Sequence, residues 1–185
     1  MTVIVIMSIV FTAISSLFIR SLRDYGDAAR RSTAHLEAAQ AVRLMQADVR
    51  GALRVSSGQA DALTVVMPRV YWDAARSEYV PYDPPEDGEA ISYYRGTDGG
   101  TPHSLGPYLW RARRPSGGGG FTPETRALAA HIEDVDLTYE HLPPPNQTTV
   151  SAVTARVVAG ETIGAEHVSK AHTVRMTLRN VVAEH

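Results

Sequence analysis

The chain has 185 residues, no cysteine and a formal net charge of −2, with Lys170 its single lysine. That balance excludes disulfide frameworks and thiolate metal sites, and gives no ground for electrostatic capture of nucleic acid. Most of the eleven prolines and fourteen glycines fall after residue 58. A regular first third therefore precedes a strand-and-loop region of roughly 130 residues, enough for one modest core.

Residues 1–55 read as one helix with two halves. From Met1 to Ile19 no residue is charged, and the polar ones, Thr2, Ser8, Thr12, Ser15 and Ser16, can return their hydroxyls to the helix's own carbonyls. At about 1.5 Å per residue this run covers nearly the ~30 Å hydrocarbon thickness of a bilayer, so 1–19 is expected to be a transmembrane or filament-core segment. Residues 20–55 form an amphipathic half, free of proline. Leu22, Tyr25, Ala29, Thr33 and Leu36 keep helical spacing, as do Val42, Met45, Val49 and Ala52. Val42, Met45, Val49 and Leu53 are expected to pack this half on a sheet. No basic residue precedes the apolar run, while Arg20, Arg23, Arg30 and Arg31 follow it, the reverse of a normally oriented anchor. A secretory signal also fits poorly, lacking a basic n-region and an A-x-A-like site. These features predict that the natural reading frame continues upstream of Met1.

Residues 56–185 are expected to form a β-rich globular domain. Breakers at Gly51 and Ser56-Ser57-Gly58 close the helix. Asp61 to Pro68 reads as a strand with Leu63, Val65 and Met67 on one face, Pro68 placing its end at a sheet edge. Val70-Tyr71-Trp72 and Tyr79-Val80 suggest a hairpin around Asp73 to Ser77, and Tyr82 to Glu89 a proline-rich acidic loop. Ala90 to Tyr94 and Tyr108 to Arg113 alternate as strands, joined by a turn-rich stretch from Gly96 to Gly106. Gly117 to Gly120 reads as a flexible loop. Thr122-Pro123-Glu124 offers a cap, a first-turn proline and an acid, predicting a short helix through about His131. Val135 to His141, Thr148 to Val158 and His172 to Val181 are strands of an antiparallel meander, with a rigid turn at Pro143-Pro144-Pro145-Asn146 and a polar connection from Glu161 to Lys170. In the last strand Val174, Met176 and Leu178 should face the core and Thr173, Arg175, Thr177 and Arg179 should point away.

Three features in this order resemble a known family. An apolar helix runs into an amphipathic one ending Val42-Arg43-Leu44-Met45-Gln46-Ala47-Asp48-Val49-Arg50-Gly51-Ala52. A Leu128-Ala129-Ala130-His131-Ile132-Glu133-Asp134-Val135 segment leads into a strand ending in Tyr139, and the last strand reads Thr173-Val174-Arg175-Met176-Thr177-Leu178-Arg179-Asn180. The chain thus resembles the type IV pilin-like proteins, most closely the J-type minor pseudopilins of type II secretion and the PilW-like minor pilins. The resemblance implies an α+β, pilin-like fold, a long N-terminal helix packed on an antiparallel sheet domain. It also implies partners that are other pilin or pseudopilin subunits, bound through that helix. Location would be the inner membrane before assembly, single-pass with a periplasmic domain, and then a periplasmic filament or the cell surface. The family's basic leader, its glycine before the cleavage point and the glutamate five residues into the mature helix have no counterpart here, where position five is Val5.

Other constellations are weaker. Asp83, Glu86, Asp87 and Glu89 put four carboxylates within seven residues, the oxygen-rich loop that calcium favours. Their spacing is not that of an EF-hand, and Pro84-Pro85 stiffens the backbone, so a solvated acidic loop is the preferred reading and no cofactor is expected. Seven histidines show no metalloprotease spacing, and neither a nucleophile elbow nor a phosphate loop is present. The chain is not expected to be an enzyme. Tyr71, Trp72, Tyr79, Tyr82, Tyr93, Tyr94, Tyr108 and Trp110 are read as sheet core and edge packing, with a contact surface as the alternative. The alternative to filament assembly is a membrane-anchored extracytoplasmic binding or sensor domain that does not polymerise.

Overall fold

The computed structural model describes residues 2–98, 100–115, 124–142, 149–163 and 166–179. It has an α+β architecture, one N-terminal helix packed on antiparallel sheets. Helix α1 runs unbroken over Thr2–Gly51, 50 residues, as the absence of proline allows. Its buried face consists of Ala34, Ala38, Ala41, Val42, Met45, Val49 and Ala52, a three-to-four-residue spacing that keeps one side of the helix inward. Leu53, expected on that face, lies beyond the helix and is half-buried; the fully buried Ala52 fills its place. Leu22 and Tyr25 are exposed because the helix meets the sheets only from about Ala34 onward, and Leu36 because it lies on the face away from Ala34 and Ala38.

The chain passes almost directly from α1 into β1 (Arg54–Gly58), a strand that breaker residues had hidden. β1 joins β2 (Ala62–Pro68), β5 (Asp87–Gly96), β6 (Tyr108–Arg114) and β7 (Glu124–Ala129) in a sheet of order β1-β2-β5-β6-β7. Leu63, Val65, Ile91, Tyr93 and Leu109 point inward from it and are buried, as alternation requires. Pro68 lies past Val66, the last residue of β2 opposite β1, so that end of the strand is open on one side. β3 (Val70–Asp73) and β4 (Glu78–Pro81) form the expected hairpin as a separate two-stranded sheet. Its turn is closed by the Ala75 N–H donating to Asp73 Oδ1 at 2.9 Å. The third sheet is the meander β8 (Ile132–His141), β9 (Val150–Ile163) and β10 (Glu166–Thr177), in order β10-β9-β8. Met176 and Leu178 are buried, Val174 packs against the core, and Arg175 and Thr177 are exposed, so the expected register holds.

Three readings are corrected. The helix expected up to His131 is instead β7, because pairing with β6 (Leu109 opposite Ala129, Arg113 opposite Glu124) satisfies a whole backbone edge. That gain outweighs capping signals, which are a weak prior. Glu161 to Lys170 is not a loose connection: β9 and β10 pair out to Ile163 and Glu166. The acidic loop is shorter than read, since β5 already begins at Asp87. Gly117 to Gly120, Thr122-Pro123 and Pro143 to Asn146 lie outside the described residues, as do residues 180–181 of the last expected strand.

Helix α1 packs against β9 and β10 of one sheet and β2 and β7 of the other. The two sheets are tied directly as well. Buried Arg95 donates from Nε to the Gly106 carbonyl (3.1 Å) and from Nη2 to the Ile132 carbonyl (2.9 Å). The Tyr139 hydroxyl reaches the carbonyls of Gln59 and Ala62 at 2.9 and 3.0 Å, and burial pushes its phenol up to about 12. The Arg95 contact depends on close backbone approach, since a Cβ at Gly106 would run into the Cα, carbonyl carbon and oxygen of Gly96. Gly106→Ala is therefore expected to destabilise by roughly 1–3 kcal/mol through forced displacement, measurable by urea unfolding. An unchanged midpoint would show that the loop relaxes freely.

Candidate functional site

The distinctive surface among the described residues is the free part of α1. Met7, Phe11, Ile14, Leu17 and Phe18 are 61–73% exposed, and Val10, Ile19, Leu22 and Tyr25 are exposed with them. From Val10 to Tyr25 they cover an arc of roughly 200° at 3.6 residues per turn. On the other side of the helix lie small residues, Thr12, Ala13 and Ser16, exposed too. The Ser16 hydroxyl donates to the Ala13 carbonyl at 2.8 Å, which satisfies it within the helix.

The expected membrane anchor is not supported. Among the described residues no helix is long and apolar enough to cross a membrane. The single-pass inner-membrane placement expected from 1–19 is corrected accordingly.

Where α1 meets the sheet of β2, β5 and β6, a polar group sits inside the apolar interface. Arg111 reaches Asp48 Oδ2 from Nε (2.9 Å) and Nη2 (2.8 Å). The Tyr93 hydroxyl donates to the same oxygen, and Arg111 Nε also lies 3.3 Å from it. Burial first, and then the Asp48 hydrogen bond, push the Tyr93 phenol upward. This arrangement holds the helix at a fixed height on the strands. Its members were each visible in the sequence but not their meeting. Asp48 occupies the helical face of Met45, Val49 and Ala52, and Arg111 shares strand phase with Leu109. A charge in an apolar phase on two different elements is the signal that could have paired them.

The four loop carboxylates do not converge. Asp87 pairs with Arg54 (2.5 Å), Glu86 with Arg69 (3.1 Å) and Glu89 with Arg113 (2.7 Å). Asp83 is exposed and lines a shallow cleft with Tyr71, Arg76 and Tyr82. The Arg54 hydrogen bond holds the Asp87 carboxyl below its ordinary 3.8. Among the described residues no three His, Asp or Glu side chains are grouped to hold a metal.

The histidines are likewise dispersed. His103 Nδ1 accepts from the Leu105 N–H (3.1 Å), His167 Nε2 meets Glu133 (3.0 Å), and His131 occupies a left-handed turn at φ 56°. His141 is exposed on β8, and His185 lies outside the described residues. His35 and His172 alone face one another, with ring centroids 6.4 Å apart.

The aromatic concentration divides in two. Tyr93 is core, and Tyr108 packs beside Trp110 at 6.1 Å. The β3–β4 hairpin, in contrast, displays Trp72 and Tyr79 edge to face at 5.1 Å, 54% and 70% exposed. Tyr71 stands 4.9 Å from Tyr82, over which Arg69 is stacked.

No family model matches the chain, and no curated protein matches it.

Proposed function

We propose that the protein is a minor pilin or pseudopilin subunit of a type II secretion or type IV pilus-like filament, with a pilin-like form of the α+β fold. It acts by assembly through α1 and not by catalysis. The observation that carries this reading is the exposed apolar stripe on the free half of the same helix that is sunk into the sheets further on. An apolar patch of this extent costs solvation free energy until a partner covers it. Helices of neighbouring subunits are suited to do so, because an apolar stripe of the same kind on another α1 can interdigitate with it. The aromatic hairpin of β3 and β4 offers a second contact surface to neighbours, rich in residues that anchor interfaces.

Because the chain has no cysteine, Phe11→Cys or Leu17→Cys creates a unique cross-linking position. Oxidation in cells that assemble the filament is expected to join the subunit to a neighbour through α1. Leu17→Asp should abolish incorporation while leaving the melting temperature unchanged, since the side chain is 66% exposed. Normal incorporation of Leu17→Asp together with Phe11→Asp would overturn the reading.

A further inference from the structure

The contact between His35 and His172 lies at the end of the helix–sheet interface, where α1 first reaches β10. The rings are tilted at 54°. The buried nitrogens, Nδ1 of His35 and Nε2 of His172, have no hydrogen-bond partner.

The surrounding charges are as follows. On α1, Arg31 lies one turn before His35. On β10, Lys170 shares the strand face of His172, two residues away. On β9, Val157 stands opposite His172, and Glu161 lies further out, opposite Val168. Glu37 is turned the other way, accepting from the Ala130 N–H at 3.3 Å. Glu133 and His167 pair on the opposite face of the sheet, since His167 and His172 differ by an odd number of strand positions. Among the described residues no carboxylate pairs with either imidazole.

We propose that the contact of His172 with His35 is a pH-operated latch: with His172 neutral α1 closes on β10, and protonation of His172 opens this end of the interface while the Met45–Ala52 end stays docked. A proton added to the buried Nε2 of His172 creates an N–H donor with no acceptor, beside a second imidazole and a lysine. Burial, then Lys170 and His35, hold His172 below the ordinary 6.5. The sign follows directly. The unfolded ring binds its proton first as pH falls, so the stabilising contribution is complete above about 6.5. It declines below that value and is gone once pH passes the lowered value of the docked state. The helix at this end is held by Ala34, Ala38 and Ala41, which bury little apolar area, so local opening there is easier than at Met45 and Val49. Opening would free the apolar half of α1 to tilt relative to the sheets.

Hydrogen exchange of the full chain, kept in solution by a mild non-ionic detergent and corrected for intrinsic rates, tests this. Protection of amides 33–40 should fall severalfold between pH 7.5 and 5.5, with amides 45–51 unchanged. The His35→Gln/His172→Gln variant should lose that pH response. An equal fall in the variant, or an equal fall over 45–51, would overturn the latch. Should the variant not fold, NMR titration of the wild-type His172 imidazole decides: it must titrate below the ordinary 6.5, and a value at or above that refutes the proposal.

Discussion

Arg111→Ala is expected to lower the unfolding free energy by roughly 3–5 kcal/mol, the usual result of leaving a buried charge unpaired. The carboxylate of Asp48 would keep only the Tyr93 hydroxyl, and it has little access to water: the two side chains of the ion pair are 18% and 13% exposed. Removing both charges should be much milder, because desolvation of the pair offsets most of its attraction. Asp48→Leu/Arg111→Leu is therefore expected to recover most of the loss. Urea unfolding of the two single variants and the double one gives the coupling by a thermodynamic cycle. A coupling below about 0.5 kcal/mol would mean that the pair behaves as an exposed one and does not set the height of the helix.

The second large effect belongs to Met45. It is fully buried in a cluster that also holds Val49, Leu63, Leu109 and Met176, so residues of the helix and both large sheets surround it. Met45→Ala should cost about 2–5 kcal/mol through lost transfer energy and the cavity left behind. Met45→Asp adds the desolvation of a carboxylate with no cation assigned to it, and should leave the domain unfolded or molten at ambient temperature. Leu53→Asp provides the contrast. Its side chain is half-buried beyond the helix end, so the change should cost no more than about 1–2 kcal/mol. Far- and near-ultraviolet circular dichroism of the three variants measures the difference. Equal losses at positions 45 and 53 would defeat the packing described for α1.

Elements in which period and burial agree were legible from the sequence. The spacing of Val42, Met45 and Val49 identified the buried face of α1, and the alternation of Leu63 with Val65, Ile91 with Tyr93, and Met176 with Leu178 assigned three strands to their correct faces. What escaped was decided by partners distant in the chain. β7 carries the start signals of a helix, and only the waiting edge of β6 makes it a strand. The polar segment at Glu161 to Lys170 is ordered by pairing of β9 with β10, not by its own composition. The Asp48–Tyr93–Arg111 contact joins residues 45 and 63 positions apart, a separation that no local pattern reports. The apolar run of α1 was legible as a run, but its reading as a membrane span was not upheld.

The placement of β10 has a consequence for the order of events during synthesis. The inward face of α1 is made well before β10, which forms a large part of what covers it. Gly51 closes the helix and Thr177 closes that strand. Elongation between them takes roughly 6–25 s at about 5–20 residues per second. Throughout that interval Ala38, Val42 and Met45 lack a full set of neighbours, alongside the apolar stripe nearer the N-terminus. A nascent chain with this topology has two adhesive surfaces on one rod, and one of them is covered in full only once β10 has been made.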